Sequence, residues 1–425
     1  MKKIDFKGKK VGVVGLAKSG LAASLLLKDL GAQVWVTDVN DNDTLRKNLS
    51  ILNSQGINKV ELGRHSEEFI KGKDLLVVSP GVSNASWVIL RAEELRIPII
   101  SEIELAYLVC PAKIIAVTGT NGKTTVTTLI GRVIQASGKK AVVCGNIGNP
   151  FTQEVGKLKE GDFVSLEVSS FQLERIKDFK PFISVILNFT PDHLDRYKDI
   201  QEYLAAKKRI YINQDSSDFV VLNYDDLTLR NLNKEIKANV RYFKERPNFN
   251  PNQSAVIEVA DILGIERDLC LEILHNFKGI EHRLESVLEF NRIEFINDSK
   301  ATNVDSTIWA LKNIQKPINL IAGGRDKGID YALVGNFVKD KVKTLILIGE
   351  AKDKIKNVLG KIVPCLEATS LEEAVKIAYE NADAGDCVLL SPMCASFDMF
   401  LNYEERGRVF KKAVFDLAEG QRCGV

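Results

Sequence analysis

The chain has 425 residues, which is too long for one hydrophobic core and predicts about two to four domains. Its 45% hydrophobic and 27% charged residues are typical of globular proteins, and a formal net charge of +2 excludes the strong positive field that nucleic acid or an anionic membrane would attract. No uncharged apolar stretch approaches the roughly 18 residues of a membrane span, so we expect neither a membrane span nor a nucleic-acid partner.

Strand-like runs alternate with helical patterns over the first hundred residues, at 11–16, 34–38, 74–81 and 97–101. This alternation predicts a doubly wound α/β domain with a parallel sheet. Ser19 is expected to cap the first helix. The glycines of the first turn do not form G-x-G-x-x-G, while Asp38 closes the second strand where a ribose-binding acid would lie. An NAD site and a nucleotide-sugar site therefore both stay open.

The segment Ile114–Thr125, IIAVTGTNGKTT, has the pattern of a phosphate-binding loop. A β-branched run stops at Gly119, and a helical pattern opens at Lys123. Glycines let backbone N–H groups face an anion, the lysine adds a charge, and Thr124 offers an oxygen to phosphate-bound Mg²⁺. Because Val117 replaces the first glycine of the general pattern, we interpret the loop as a tighter variant. A plain strand-to-helix turn is the alternative.

Three polar positions follow this loop in a second α/β unit. Glu167 interrupts a buried strand, so it is either half of a structural salt bridge or a Mg²⁺ ligand. In NFTPDHLDRY (188–197), Asn188, Asp192, His193 and Asp195 gather at a strand end; His193 could be a metal ligand, a general base or a cap. Lys207 lies beside Lys208 in the helical segment 202–211, where chemistry alone predicts two solvated surface charges.

A third α/β unit starts near residue 285 and places polar turns after three strands: NDSKATN (297–303), AGGRDKG (322–328) and SPMCASFDMF (391–400). Ligand sites of open α/β sheets lie at the carboxyl ends of the strands, so these turns predict one cleft. We place the domains at 1–103, 104–284 and 285–425.

Together these motifs resemble the Mur ligase family, from VGVVGLAKSG to FDMFLNYEERG. The most specific parts are TGTNGKTT, GNIG, LEVSSFQLE, DHLDRY, YLAAKKRIY, EHRLE and NDSKATN. Family members that add a diamino acid or a dipeptide resemble D-D-Y-A-H-x-P where this chain has NDSKATNVDS. The resemblance therefore points to the members that add D-glutamate.

The resemblance implies three domains: a Rossmann-like domain for the UDP substrate, a central P-loop-type ATPase domain with a mostly parallel sheet, and a Rossmann-like domain for the amino acid. It implies an ATP-dependent amide ligase that joins D-glutamate to UDP-MurNAc-L-alanine through an acyl phosphate. ATP, two Mg²⁺ ions and a carbamylated lysine would take part. We expect a cytoplasmic monomer with small-molecule substrates.

The family's functional residues carry over onto matching positions. The metal ligands are expected to be Thr124, Glu167, His193 and Lys207, the last as its carbamate, and Lys123 joins Glu167, His193 and Lys207 in catalysis. The ATP contacts are expected to be Gly119, Thr120, Asn121, Gly122, Lys123, Thr124, Thr125, Arg283, Asp298 and Lys300. The UDP-substrate contacts are expected to be Gly15, Leu16, Lys18, Ser19, Asp38, Asn146 and Ser169. The D-glutamate contacts are expected to be Thr302, Lys327, Ser396 and Tyr403.

Two other functions stay open from the sequence. A folylpolyglutamate-synthase-like ligase would share the central domain but would not need the nucleotide-sugar domain of residues 1–103. A P-loop ATPase acting as a switch or binding module would not need an amino-acid pocket in residues 285–425.

Overall fold

A computed structural model describes residues 5–193 and 196–422. The chain divides into two compact units, one formed by Met1–Phe189 with Gln201–Asn276 and one formed by Thr190–Ile200 with Phe277–Val425. Among the described residues, no helix combines the length and apolar character needed to cross a membrane.

The first unit begins with a five-stranded sheet in the order β3-β2-β1-β4-β5, in which every pair of neighbours is parallel. This is the predicted doubly wound arrangement, and the turn after β1 lies where the strand order reverses. Helix α5 connects this sheet to the next. The elements are β1 Lys10–Val14, α1 Lys18–Asp29, β2 Gln33–Asp38, α2 Asp43–Ser54, β3 Val60–Leu62, α3 Glu67–Ile70, β4 Leu75–Val78, α4 Trp87–Glu94, β5 Ile99–Ser101 and α5 Glu102–Val109.

The start of α1 differs from the prediction. The helix begins at Lys18, and its N-cap residue is Ala17, whose side chain cannot accept a hydrogen bond. Ser19 lies inside the first turn, so its prediction as a cap is wrong. Backbone N–H groups at this end have no side-chain cap, which suits the turn after β1 to an anion.

The second sheet of this unit has six parallel strands in the order β11-β10-β9-β6-β8-β7. Its central strand β6 is apolar and buried, as the run before Gly119 predicts. The elements are β6 Lys113–Thr118, α6 Lys123–Ala136, β7 Ala141–Gly145, α7 Phe151–Glu154, β8 Phe163–Glu167, α8 Ser170–Leu173, β9 Ile183–Ile186, α9 Ile200–Lys208, β10 Phe219–Asn223, α10 Leu227–Arg230, β11 Asn239–Phe243, α11 Pro251–Ile262 and α12 Arg267–His275, with short 3-10 helices at Val155–Lys157, Arg209–Tyr211 and Asn231–Lys234.

The third sheet belongs to the second unit and has the order β12-β13-β17-β14-β15-β16. Its edge strand β12 is antiparallel to β13, and the pairing shifts by one residue between Ser286 and Leu288, which leaves a bulge at Val287. The other pairs are parallel. The elements are β12 Glu285–Phe290, β13 Ile293–Asn297, α13 Val304–Asn313, β14 Ile318–Gly323, α14 Gly335–Lys341, β15 Val342–Ile348, α15 Lys352–Leu359, β16 Cys365–Glu367, α16 Leu371–Glu380, β17 Cys387–Leu390 and α17 Tyr403–Arg422, with a 3-10 helix at Tyr331–Val334.

The predicted fold class is confirmed, since three α/β sheets follow one another along the chain with parallel pairing throughout the first two. The exact domain boundaries stay a prediction.

Candidate active site

The loop between β6 and α6 has the backbone of a phosphate cradle. Gly119 and Gly122 have φ angles of 147° and 83°, which favour glycine over residues with a side chain. The Lys123 ammonium folds back over the loop and donates to the carbonyl oxygens of Gly119 at 3.0 Å and Thr120 at 2.9 Å. The loop therefore has a positive charge and a helix N-terminus on the same few residues.

Asn188, which follows β9, fixes the shape of this loop. Its side-chain oxygen accepts from the Asn121 backbone N–H at 2.8 Å, and its side-chain nitrogen donates to the Asn121 carbonyl at 3.0 Å. Its own carbonyl accepts from the Thr120 N–H at 3.1 Å. The sequence predicts a polar group at this strand end but does not identify its partner.

Asn252 in α11 is a second residue at the loop that sequence reasoning missed. A Cβ atom added to Gly122 would overlap the Asn252 side-chain amide, so this position excludes a side chain by space as well as by φ. The segment NFNPNQSA has no motif that would single out Asn252. Only the packing of α11 against α6 brings it to the loop.

Lys207 lies in α9 with only 1% of its surface exposed. Its ammonium donates to the Gly119 carbonyl at 2.9 Å and lies 4.5 Å from the centre of the Tyr203 ring. The neighbouring Lys208 pairs with Glu235 and keeps about a third of its side chain exposed. A surface role is therefore wrong for Lys207 and holds for Lys208.

Glu167 ends β8 and is 2% exposed. One carboxylate oxygen accepts from the Asn146 side chain at 2.8 Å, and the other is buried with no hydrogen-bond partner in the described part of the chain. No ion pair to Glu167 occurs there either, so the salt-bridge interpretation is wrong. A buried carboxylate oxygen without a donor is suited to a cation, and Mg²⁺ prefers oxygen ligands.

Asp38 holds the turn after β1 in place. One of its oxygens accepts from the Leu16 N–H at 2.8 Å, and the other accepts from the Asn40 N–H at 2.9 Å. From the same turn, the Lys18 ammonium donates to the Gly148 carbonyl at 2.6 Å. The turn after β1 in the first sheet therefore contacts the GNIG loop (145–148) of the second sheet, and both lie in one compact unit.

The remaining predicted residues of this unit lie in turns and first helical turns. Gly15 has a φ of 93°, and Ser169 caps α8 by accepting from the Gln172 N–H at 3.3 Å. Ser19 and Thr125 lie in the first turns of α1 and α6. Their ligand contacts stay predictions.

His193 belongs to the second compact unit. It has a φ of 57°, which is unusual for a residue with a side chain. Its N–H donates to one Asp192 oxygen at 2.9 Å, and its Nε2 lies 3.6 Å from the other. Asp195, named with it from the sequence, lies outside the described residues.

Asp192 contacts two turns of the same unit, NDSKATN (297–303) and AGGRDKG (322–328). Each turn contains a predicted D-glutamate contact. Asn303 donates to its carboxylate at 3.0 Å, and the Lys327 ammonium lies 3.5 Å away. Asp192 is buried, and the Lys327 side chain is 13% exposed. The structure therefore adds Asp192 and Asn303 to the residues around Lys327.

Asp298 is fully buried after β13, and burial raises the pKa of its carboxyl to about 6 against the opposing effect of Arg283. The Arg283 guanidinium lies 3.9 Å away, and the Ser391 hydroxyl donates at 2.9 Å. Arg283 and Asp298, two of the three ATP contacts predicted outside the phosphate loop, are therefore in contact with each other.

Lys300, Thr302, Ser396 and Tyr403 come together around the turns after β13 and β17. The Lys300 ammonium donates to the Tyr403 hydroxyl at 3.0 Å, although the sequence assigns the two residues to different ligands. Thr302 lies in the same turn as Lys300, and its N–H donates to the Lys300 carbonyl at 2.9 Å. Ser396, in the turn after β17, is buried.

Arg406 in α17 braces these turns and was not predicted. It is 1% exposed, and its guanidinium donates to the carbonyls of Ser299 at 2.8 Å and Cys394 at 3.2 Å. Burial lowers the pKa of Arg406 to about 10. The block FDMFLNYEERG contains it, but nothing in that block separates Arg406 from a surface arginine.

Glu281, His282 and Glu285 form a group with the spacing of metal ligands. The Lys411 ammonium already pairs with Glu281 at 2.9 Å and with Glu285 at 2.7 Å, and Asn297 hydrogen-bonds the His282 ring at 2.9 Å. These contacts join α17 to the turn before β12, so we assign the group to packing.

Three protein-family models match the chain in succession. They describe a Mur ligase MurD-like N-terminal domain at residues 9–101, a Mur ligase middle domain at 117–264, and a Mur ligase glutamate ligase domain at 282–394. Each falls on one of the three sheets, and the middle-domain model begins within β6.

Curated relatives match over nearly the full length. The UDP-N-acetylmuramoylalanine--D-glutamate ligase of Thermoanaerobacter pseudethanolicus is 43% identical, covering 97% of this chain and 100% of the relative. The protein of the same name from Chloroherpeton thalassium is 40% identical, covering 97% and 99%.

Solved structures share the fold at low identity. The UDP-N-acetylmuramate-alanine ligase MurC of Thermotoga maritima is 20% identical, with a TM-score of 0.61 over 96% of this chain and 99% of that chain. The MurF ligase of the same organism is 14% identical, with a TM-score of 0.62 over 97% and 96%. FolC of E. coli is 16% identical, with a TM-score of 0.55 over 75% of this chain and 93% of that chain.

Proposed function

The chain belongs to the Mur ligase family, and from this premise we propose that it joins D-glutamate to UDP-N-acetylmuramoyl-L-alanine at the expense of ATP. The product is a precursor of peptidoglycan. The observation that carries the chemistry is the burial of Lys207 against the phosphate loop, 2.9 Å from the Gly119 carbonyl. A buried lysine beside a phosphate-binding loop fits the charge neutralisation that phosphoryl transfer requires.

The reaction begins with transfer of the γ-phosphoryl group of ATP to the alanine carboxylate, which gives an acyl phosphate. Such transfer depends on positioning and charge neutralisation more than on a protein nucleophile. Lys123 supplies a charge at the loop, and Asn188 holds the loop's backbone in place. The amine of D-glutamate then attacks the acyl carbon, and phosphate leaves.

The oxygen-rich groups of the first unit fit Mg²⁺. Glu167 would bind through its buried oxygen, with Thr124 at the start of α6, and Mg²⁺ when bound would neutralise phosphate charge. Lys207 would contribute as its carbamate, since an ammonium cannot bind a cation whereas a carbamate oxygen can. His193 is proposed for the second ion.

The two substrates are assigned to different sheets. The turn after β1, with Asp38 and Lys18, would hold the UDP part, while Asn146 and Ser169 would contact the muramoyl part. Thr302, Lys327, Ser396 and Tyr403 would hold D-glutamate, and Arg283, Asp298 and Lys300 would approach ATP. We further propose a cytoplasmic monomer, because ATP and nucleotide-activated sugars are cytoplasmic metabolites.

The test is ADP release from ATP and Mg²⁺ with UDP-MurNAc-L-alanine, with and without D-glutamate, together with the mass of the product. We expect ADP and an amide only when both substrates are present. A folylpolyglutamate-synthase-like ligase would instead release ADP with a folate and L-glutamate, and a switch ATPase would release ADP regardless of D-glutamate. Either result would replace the proposed reaction.

A further inference from the structure

A chain of side-chain hydrogen bonds joins the two turns that contain Lys327 and Ser396. The Tyr331 hydroxyl donates to one carboxylate oxygen of Asp326 at 2.9 Å, and it lies 3.1 Å from the Cys394 sulfur. Asp326 immediately precedes Lys327, and Cys394 lies two residues before Ser396. Tyr331, at the start of the 3-10 helix Tyr331–Val334, therefore contacts both turns.

The direction of each hydrogen bond follows from the protons that are available. Burial acts to raise the pKa of the Asp326 carboxyl, but hydrogen bonds from Lys354 and Tyr331 outweigh it and hold that pKa below its usual value. The carboxylate can only accept, so the single hydroxyl proton of Tyr331 is given to it. The phenol oxygen then accepts from the Cys394 thiol, whose pKa burial raises to about 11, so that its proton stays in place.

Asp326 is also held by groups outside this chain of bonds. The Lys354 ammonium, in α15, donates to the second carboxylate oxygen at 2.6 Å. The Gly328 N–H donates to the first oxygen at 3.1 Å. Because Lys327 lies between Asp326 and Gly328, this last bond fixes the backbone on both sides of the lysine, and the orientation of Asp326 sets the direction in which Lys327 leaves the turn.

The same two turns are joined through their backbones. The Arg325 N–H donates to the Ala395 carbonyl at 2.9 Å, and the Ala395 N–H donates to the Arg325 carbonyl at 3.2 Å. A Cβ atom added to Gly324 would overlap the Ala395 carbonyl oxygen, so the turns approach each other closely at this point. Lys327 and Ser396 thus extend from two turns that are held at one spacing.

We propose that Tyr331 is a positioning residue that sets the spacing between Lys327 and Ser396, and through that spacing the length of the amino-acid acceptor that the site prefers. The inference rests on the proposed function. Phenylalanine would keep the ring of Tyr331 but not the oxygen that contacts both turns. D-Aspartate has one methylene fewer than D-glutamate and D-2-aminoadipate has one more, so these two acids measure the preferred length.

The test compares Tyr331→Phe with the wild type at saturating UDP-MurNAc-L-alanine. We expect the KM for D-glutamate to rise about fivefold, while kcat and the KM for ATP change less than about twofold, because only the acceptor pocket loses hydrogen bonds. The inhibition constants of D-aspartate and D-2-aminoadipate, divided by the KM for D-glutamate, should fall about fivefold, since a loosened spacing discriminates less between acids that differ by one methylene.

Tyr379→Phe is the matched control, since that hydroxyl bonds Asn291 in the same domain outside the predicted pocket. It should leave all of these constants unchanged. The melting temperature of each variant shows that the compared enzymes are folded at the assay temperature.

Two substitutions of Cys394 separate positioning from packing. Serine keeps a proton donor for the Tyr331 oxygen, whereas alanine removes it. Cys394→Ala should raise the KM for D-glutamate, and Cys394→Ser should bring it back towards the wild-type value. In the Tyr331→Phe background, where the accepting oxygen is gone, the alanine and serine variants should not differ in this KM.

An unchanged KM for D-glutamate in folded Tyr331→Phe, or a raised KM with unchanged selectivity ratios, would overturn the inference. Equal KM values for Cys394→Ala and Cys394→Ser in the wild-type background would overturn it as well, and this comparison does not depend on the folding of Tyr331→Phe. Failure of the wild type to turn over with D-glutamate would instead overturn the proposed function, and the inference with it.

Discussion

At the residue scale, the phosphate loop gives a direct prediction for Lys123. Lys123→Ala should lower kcat about a hundredfold or more, because it removes a charge that stabilises the transferring phosphoryl group. The circular dichroism spectrum and melting temperature should stay near those of the wild type, since the hydrogen bonds from the ammonium to Gly119 and Thr120 lie within the loop itself. Lys237→Ala, an exposed lysine of the same unit, is the control.

Near-normal turnover of a folded Lys123→Ala enzyme would rule out this loop as the phosphate site.

Lys207 and Lys208 are a pair of neighbours with opposite predicted effects. Lys207→Ala should abolish most activity, and added acetate or formate should restore part of it, because a small carboxylate can replace the oxygen of the proposed carbamate. Lys208→Ala should change kcat less than threefold, since an exposed ion pair contributes roughly 0–1 kcal/mol. Initial rates at several carboxylate concentrations give the comparison.

A crippled Lys208→Ala enzyme, or an active Lys207→Ala enzyme, would contradict the second metal site.

The sequence predicts some site residues well and others poorly, for a physical reason. Lys123 and Gly119 lie in one continuous motif, so their role can be inferred from local order. Asn252 and Arg406 reach the site only through packing of distant helices, and neither has a distinctive neighbourhood in the sequence. Chemistry alone also predicts the wrong environment for Lys207, because a Lys-Lys pair at a helix end usually faces solvent.

At the scale of elements, α5 contains two buried glutamates with different partners. Glu104 accepts three backbone N–H groups, from residues 177, 178 and 179, at 2.8–2.9 Å. Glu102 uses one oxygen for the Thr152 N–H and hydroxyl, both at 2.6 Å, and its other oxygen is buried with no hydrogen-bond partner in the described structure. Replacing the carboxylate by an amide should therefore destabilise the protein more at Glu104 than at Glu102.

We expect Glu104→Gln to lower the free energy of unfolding by about 2–3 kcal/mol, because an amide NH₂ must face at least one backbone N–H. Glu102→Gln should be much milder, since the amide oxygen can keep both Thr152 bonds. Urea denaturation of the two variants at neutral pH measures the difference. Equal destabilisation would show that the hydrogen-bond pattern around α5 is wrong.

Glu102 also predicts a pH dependence. Burial raises the pKa of its carboxyl above the usual 4.5. Between 4.5 and the raised value, the folded state keeps a proton that the unfolded state has lost, so stability falls as pH rises through this window. Glu102→Gln should reduce that slope in urea denaturation from pH 4 upward. An identical slope in the variant would contradict the raised pKa.

Element prediction succeeds for long buried strands and misses several short or edge strands. The central strand β6 coincides with the apolar run that ends at Gly119, because that run is continuous. Strands β3 and β16 have three residues each, and β12 is a polar antiparallel edge. Such strands depend on neighbours for their pairing and leave little periodic signal in the sequence.

At the scale of the whole molecule, the first two sheets should act together on the muramoyl substrate. Arg175, after α8, pairs through its guanidinium with Glu93 at 2.7 Å and donates to Asn84 at 2.9 Å, and its backbone carbonyl accepts from the Ser101 N–H at 2.9 Å. Arg175→Ala should raise the KM for UDP-MurNAc-L-alanine severalfold and leave the KM for ATP unchanged. The reason is that both of these sheets contribute to the proposed UDP-MurNAc-L-alanine site, whereas only the second of them contributes to the proposed ATP site.

Arg91→Ala is the matched control, since Arg91 pairs with Glu67 and Glu94 within the first sheet's own layer. It should leave both KM values unchanged. A parallel rise in the two KM values of Arg175→Ala would indicate general loosening of the unit instead.

The bulge in β12 has a consequence for the behaviour of the protein at high concentration. An open strand edge can pair with a strand of another molecule and start aggregation. The extra residue at Val287 interrupts the regular ladder, and Glu289, whose side chain is 61% exposed, adds a carboxylate to the same strand. The strand therefore gives a second molecule an irregular and charged edge, which disfavours growth of an intermolecular sheet.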